Sequence, residues 1–269
     1  GQHSGEIMVC FIVRKPIRKK LMPLVQRLTE QFPQIKSISM NCNPKNTNVI
    51  LGDTTETLWG KDIITDTMCG NAVDLSPESF YQVNTIQAER LYGAAKGFAQ
   101  LTGKERLLDL YCGAGTIGLS MADSVQELIG VEIVPEAVEN AKKNAARAGI
   151  KNAVFFCGDA GSIAGKLAEQ GMNPDVIVVD PPRKGCDKAA ITAIAQMQPE
   201  RIVMISCNAT TAARDCALLH QMGYAVTQVQ PVDLFPRTGH VETVVLLSHK
   251  KPDGHINVKV EFGEGEGKV

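Results

Sequence analysis

No apolar run in this sequence approaches the roughly 20 residues that a membrane-spanning helix needs, so no membrane partner is expected. There is no secretory signal pattern and no initiator Met, and Gly1 is expected to mark a fragment boundary with sequence missing upstream. Neither charge is in excess. Lys and Arg number 28 against 29 Asp and Glu, a net charge of −1. That excludes a uniformly basic nucleic-acid binder and leaves room for a local basic face. Among the eight cysteines, Cys10, Cys42, Cys69, Cys112, Cys157, Cys186, Cys207 and Cys216, there is no CxxC pair. Neither a zinc site nor an iron–sulfur cluster follows from that spacing, and no metal is expected. Cys112, Cys157 and Cys207 end apolar runs in an α/β pattern, so reduced thiols in a cytoplasmic protein are expected rather than disulfides. Repeats and low-complexity linkers are lacking too, so the parts of the chain are expected to pack together. What remains is 269 residues, 44% hydrophobic and 21% charged, the composition of a globular chain with a sizeable core.

The chain is organised around Arg106 to Gly118, RLLDLYCGAGTIG. An apolar run, a glycine turn at Gly113-Ala114-Gly115 and a helical segment from Thr116 open a nucleotide-type pocket in an α/β domain. Gly113, Gly115 and Gly118 also spell the GxGxxG of dinucleotide sites. Asp109, four residues earlier, argues against a pyrophosphate there. An acidic strand end suits S-adenosylmethionine, which carries a sulfonium and an ammonium and no phosphate. A turn-capping role for Asp109 is the alternative.

Before this stretch, residues 7–14 read as a strand, 19–31 as an amphipathic helix with Leu21, Leu24, Val25 and Leu28 inward, and 35–42 as a second strand. Arg14, Lys15, Arg18, Lys19 and Lys20 form a basic cluster, either a phosphate-contact site or a solvated helix start. TLWG, DIITDTM, NAVDLS and SFYQV read as short strands. Residues 1–75 are thus expected to form a small α+β domain with possible RNA contact. In residues 76–249, a helix over 84–101 buries Ala88, Leu91, Ala95, Phe98 and Ala99. Strand-like runs follow at 107–112, 127–133, 153–157, 175–180, 201–206, 224–230 and 241–248. Helices between most of them predict a doubly wound, mostly parallel, seven-stranded Rossmann-like sheet. The last two strands lack an intervening helix and are expected to form an antiparallel edge hairpin, the methyltransferase variant of this architecture. Residues 250–269 form a C-terminal extension in which HINVKVEF could be a strand and GEGEGKV is glycine-rich and polar.

Candidate site residues sit at the predicted strand ends. Glu132, 19 residues after Gly113, is placed to accept hydrogen bonds from ribose hydroxyls. Asp159 either holds an adenine amino group or caps a helix. Asp180 opens a rigid Asp-Pro-Pro-Arg turn, where open α/β sheets bind ligands. Cys207 lies just before a predicted helix start, a position that favours thiolate. It is either a nucleophile able to add to C6 of a pyrimidine or a small buried hydrophobe. Glu242 is a candidate base for the C5 proton, with His240 as its rival and a solvent-exposed strand end as the plain alternative.

Taken in order, FYQVN (80–84), DLYCGAG (109–115), DPPR (180–183), SCN (206–208), ARD (213–215) and HVE (240–242) give the chain its specificity. From about residue 5 to 249 it resembles the RNA uracil-5-methyltransferase family, and within it the branch acting on 23S ribosomal RNA. The resemblance implies a class I methyltransferase domain, S-adenosylmethionine as cofactor and 5-methyluridine in RNA as product. By matching motif positions, Gln82, Tyr111, Glu132 and Asp180 would bind the cofactor, together with Gly113 of the glycine turn. Cys207 would be the nucleophile and Glu242 the base, acting on a uridine splayed from its stack. Charge alone, apart from the resemblance, makes Arg183, Arg237 and the cluster at 14–20 candidates to steady the enolate or phosphates. The residues alone assign Gln82 only a place in a strand. Ala209 stands where the family commonly has proline. The N-terminal TRAM domain that members commonly carry, some with an iron–sulfur cluster, is expected to lie in the missing upstream sequence. No protein partner is implied. Rival readings are methylation of uridine in tRNA, cytosine-5 methylation, an NAD-dependent oxidoreductase and a non-catalytic RNA-binding module.

Overall fold

The structure is a computed structural model that describes residues 1–46, 49–79 and 81–250. Phe80 of the FYQVN motif and the strand expected within 255–262 lie outside the described residues. No helix among the described residues is long and apolar enough to cross a membrane.

The chain opens with β1 (Ile7–Val13), α1 (Arg18–Gln31), β2 (Ile35–Cys42) and β3 (Thr54–Gly60). β1 and β2 pair in parallel, with α1 as the crossover, and β3 adds antiparallel to β2. Their own core is Val25, Ile35, Ile38, Met40 and Leu58, flanked by half-buried Leu21 and Leu28. Leu24, expected inward, is 45% exposed. The face toward the sheet is narrow, one turn either side of Val25, and Leu24 falls outside it. β4 (Ile64–Met68) and β5 (Asn71–Leu75) form a hairpin whose turn, Cys69-Gly70, has φ of 51° and 80°, as a two-residue hairpin requires. Met68 joins the larger core rather than the N-terminal one.

The strand expected at SFYQV is not found among its described residues. Tyr81 to Asn84 form a loop that feeds α2 (Thr85–Ala99). Asn84 caps that helix, its side chain accepting the Gln87 N–H, so the chain turns helical where alternation alone would extend it.

From β6 (Arg106–Leu110) the expected alternation holds, through α3 (Thr116–Leu119), β7 (Glu127–Glu132), α4 (Pro135–Arg147), β8 (Ala153–Cys157), α5 (Ala160–Glu169), β9 (Val176–Val179), α6 (Lys188–Met197), β10 (Arg201–Ser206), α7 (Ala209–Gln221), β11 (Tyr224–Val232) and β12 (Glu242–His249). The seven strands stand in the order β11-β12-β10-β9-β6-β7-β8. All neighbours are parallel except those of β12, which is antiparallel to both β10 and β11. The last pair is thus antiparallel as expected, with β12 inside and β11 at the edge. Successive residues bury on opposite faces. Leu107, Leu128, Val178, Val203 and Val244 face α2, while Leu108, Ile129, Val179, Met204 and Val245 face α5, α6 and α7. Each such fully buried chain contributes about 1.5–3 kcal/mol, and their number fixes the strand ends in space.

Candidate active site

Five parallel strands finish at one edge of the sheet, and antiparallel β12 begins there. Tyr111 follows β6, Glu132 closes β7, Asp159 follows β8, Asp180 follows β9, Cys207 follows β10 and Glu242 opens β12. All six line one cavity of about 670 Å³, together with Gln82 from the loop before α2. The Gln82 side chain interacts with the hydroxyl of Tyr92, whose ionisation burial strongly disfavours.

The glycine turn builds the cavity wall. Tyr111 (φ 65°), Gly113 (φ 54°) and Gly115 (φ 81°) are left-handed. Tyr111 holds that conformation without being glycine, a cost that collects at functional sites. Gly113 is not itself a lining residue. Its N–H donates to Glu132 Oε2 at 3.0 Å, and the Val134 N–H donates to Oε1 at 2.9 Å. Each oxygen keeps a lone pair for a further donor. Gly118 approaches closely: a Cβ there would meet Asp109 Oδ2 at 2.7 Å and Leu128 Cδ1 at 2.9 Å.

Asp109 does not line the cavity. It is 1% exposed beneath the turn, where Oδ2 accepts the Gly118 N–H at 2.9 Å and Oδ1 has no partner among the described residues. Its function here is to hold the start of α3. Burial, with the Glu132 charge, pushes its carboxyl up to about 7. Burial, with Glu242 and Asp109, pushes Asp180 up to about 8. Asp159 caps α5 through the Ser162 N–H at 2.9 Å and also lines the cavity.

Cys207 is half-buried between β10 and the N-cap Asn208 of α7. The expectation of a thiol depressed by the helix start is corrected. Burial and the carboxylates of Glu242 and Asp180 raise it, against the opposing charge of Arg183. Glu242 is 6% exposed, and burial raises it as well, again opposed by Arg183. Arg183 is therefore the cation that offsets both groups. Its Nη2 donates to His240 Nδ1 at 2.9 Å.

Sequence reasoning missed what holds Arg183 in place. The side chains of Asn208 and Thr211 each donate to its carbonyl at 3.3 Å. Asp215, fully buried in the ARD motif, accepts the Cys186 N–H at 2.8 Å, and Arg214 Nη2 donates to the Lys184 and Cys186 carbonyls. A motif noted only for its order thus clamps the loop after Pro182. Ile133, 61% exposed at the cavity wall, was also missed, and an apolar residue left in water at a strand end was its signal. All eight cysteines are free thiols, and no three His, Cys, Asp or Glu side chains among the described residues could hold a metal.

Residues 3–250 match the profile of a family described as tRNA (Uracil-5-)-methyltransferase. An uncharacterized RNA methyltransferase from Halalkalibacterium halodurans is 48% identical over 250 residues, 93% of this chain and 55% of that protein. One from Enterococcus faecalis is 47% identical over 248 residues, 92% of this chain and 54% of that protein. The chain spans about half the length of these curated relatives. Among solved structures, the Pyrococcus abyssi tRNA (uracil-54, C5)-methyltransferase in complex with S-adenosyl-L-homocysteine superposes with a TM-score of 0.74 at 28% identity, over 90% of this chain and 56% of that one.

Proposed function

The chain belongs to the tRNA (uracil-5-)-methyltransferase family, and we propose that it methylates C5 of uridine in RNA using S-adenosylmethionine. The observation that carries this is the meeting of Cys207 and Glu242 in one cavity with Gln82, Tyr111, Glu132 and Asp180.

The cavity residues fit the cofactor. Glu132 retains one free lone pair on each oxygen for ribose hydroxyls, and Ile133 offers an apolar face to adenine. Asp159 faces the same cavity for the adenine amino group. Asp180, whose charge acts on the Cys207 thiol, would hold the charged methionine end together with Gln82. When bound, the cofactor supplies an electrophilic methyl group and a positive charge that offsets the carboxylates around it.

The Cys207 thiolate adds to C6 of the uracil, and the C5–C6 π electrons move onto the O4 enolate. Arg183 offsets that negative charge. The enolate electrons return through C5 to form its bond to the methyl group, and the pair of the broken sulfur–methyl bond would stay on the sulfur. Glu242 then removes the C5 proton, the electrons of that bond re-form the C5–C6 double bond, and Cys207 leaves. Ribosomal RNA is the substrate we favour from the motif resemblance. Transfer RNA is the second reading, favoured by the likeness to the archaeal tRNA enzyme. Residues 1–75 are proposed as a small domain contributing to RNA contact, with Arg14, Lys15, Lys19 and Lys20 exposed and Arg18 paired with Glu56.

A covalent trap tests the reaction. Fluorine at C5 of 5-fluorouridine cannot leave as a proton, so RNA carrying it should remain attached to Cys207 on a denaturing gel when S-adenosylmethionine is present. An adduct lost in Cys207→Ala supports the mechanism. An adduct that survives Cys207→Ala, or none on either ribosomal or transfer RNA despite cofactor binding, overturns it.

A further inference from the structure

A second cleft of about 430 Å³ adjoins the first, between the loop before α2 and the loop joining β11 to β12. Phe235 borders both cavities. The walls of the second are apolar and open to solvent. Val83 is 74% exposed and Ile86 59%, opposite Phe235 and Pro236. Single exposed apolar residues are ordinary, but two facing one cleft beside a catalytic cavity call for an occupant.

The cleft is built rather than incidental. Asn84 Nδ2 donates to the Leu234 carbonyl at 3.2 Å and ties the two loops. Gln2 forms part of the lining and is pinned by Asp66, which is 1% exposed. The Gln2, His3 and Ser4 N–H groups and the Tyr81 hydroxyl all donate to the Asp66 carboxylate, at 2.7–3.0 Å. The far wall is a tight turn in which the Thr238 N–H donates to the Phe235 carbonyl at 3.2 Å. Its third residue is Arg237, at φ 65°, where glycine is the unstrained choice. Arg237 is exposed and has no hydrogen bond or ion pair among the described residues. A strained, unpaired cation beside an apolar slot matches a nucleotide, with phosphate for the cation and a base for the slot.

We propose that this cleft holds the nucleobase adjoining the target uridine, with the intervening phosphate against Arg237. The proposal rests on the reading of the first cavity as the uridine site. One phosphodiester separates neighbouring nucleotides, so a uridine splayed into the first cavity brings its neighbour to the Phe235 border. The second cleft is where that base stacks, and its occupancy holds the target open against restacking.

The test uses the 5-fluorouridine trap on ribosomal and transfer RNA transcripts, with three proteins: wild type, Arg237→Gly and Ile86→Asp. Both substituted residues are exposed, and Arg237→Gly relieves the left-handed backbone, so thermal melts should show both variants folded. The expected result is adduct formation at least tenfold slower in each variant, with S-adenosylmethionine affinity unchanged. Ultraviolet cross-links from the trapped wild-type adduct should map to residues 83–86 or 234–238. Variants that react at the wild-type rate, or cross-links that map elsewhere, overturn the cleft assignment and leave the uridine reading standing. Absence of a wild-type adduct overturns both.

Discussion

The Arg183 Nη2 lies 2.9 Å from His240 Nδ1 and 3.3 Å from Nε2, which seats the guanidinium against the imidazole. His240 thus holds the cation whose charge acts on both Cys207 and Glu242.

Replacing His240 with Ala should release Arg183 from the cavity wall. A hydrogen bond to a charged group contributes about 1.5–3 kcal/mol, so a loss of roughly tenfold or more in kcat/KM for RNA is expected, with cofactor affinity unchanged. His240→Gln, whose amide oxygen can accept, should recover part of it. Steady-state kinetics on the two variants, with cofactor titration alongside, checks this.

Glu242→Gln should have two opposite effects. It removes the base, so methylated adduct should accumulate on ordinary uridine RNA. It also removes a negative charge that raises the Cys207 thiol. The free variant should therefore alkylate faster with iodoacetamide at Cys207 than wild type at the same pH. Arg183→Gln should alkylate more slowly, because the opposing positive charge is gone. Peptide mass spectrometry separates Cys207 from exposed Cys157.

Asp180 makes the ligand-free protein less stable as pH rises. Its carboxyl is raised from 3.8 to about 8. Between those values the folded chain keeps a proton that the unfolded chain has lost, so stability falls with pH across that window and levels off above it. Asp180→Asn removes this loss. The variant should melt at least about 2 °C above wild type at pH 8.5, on the order of 1 kcal/mol, with the difference closing toward pH 4. It should also lose activity. Thermal melts at the two pH values, without cofactor, decide it.

Gly118→Ala should destabilise the protein by about 1–3 kcal/mol, the usual cost of forcing a methyl into a filled site. The added Cβ falls 2.7 Å from Asp109 Oδ2 and would push that carboxyl off the Gly118 N–H. Chemical denaturation checks the magnitude.

Strand positions were legible in the sequence because each strand is a run of apolar residues ended by a polar or glycine residue, and the chain has little else of that kind. The order Asp109, Glu132, Asp159, Asp180, Cys207, Glu242 could be read as strand ends for the same reason. What failed was whatever depends on neighbours distant in the chain. Asp109 lies under the turn rather than in the cavity, because Gly118 approaches close enough to take its oxygen. The Cys207 thiol is raised by burial first and then by the charge of Glu242, which comes from the antiparallel strand. Leu24 and the 79–83 segment misled because hydrophobic spacing alone does not say how wide a buried face is or where a cap begins. Nothing in residue spacing pairs Arg183 with His240 or Asp66 with residues 2–4.

Among the described residues β12 is the last strand of the sheet to be made, yet it lies between β10 and β11. A nascent chain that has reached residue 241 has synthesised six of the sheet's seven strands, and β10 and β11 each still lack the partner that belongs between them. Open edges of this kind invite association with other chains. Glu242 is the first residue of the closing strand, so the proposed proton acceptor reaches the cavity in the same step that seals the sheet. A translation product that stops before residue 242 leaves both edges open and lacks the proposed proton acceptor, and chaperone capture of nascent chains should be strongest between the emergence of β11 and that of β12.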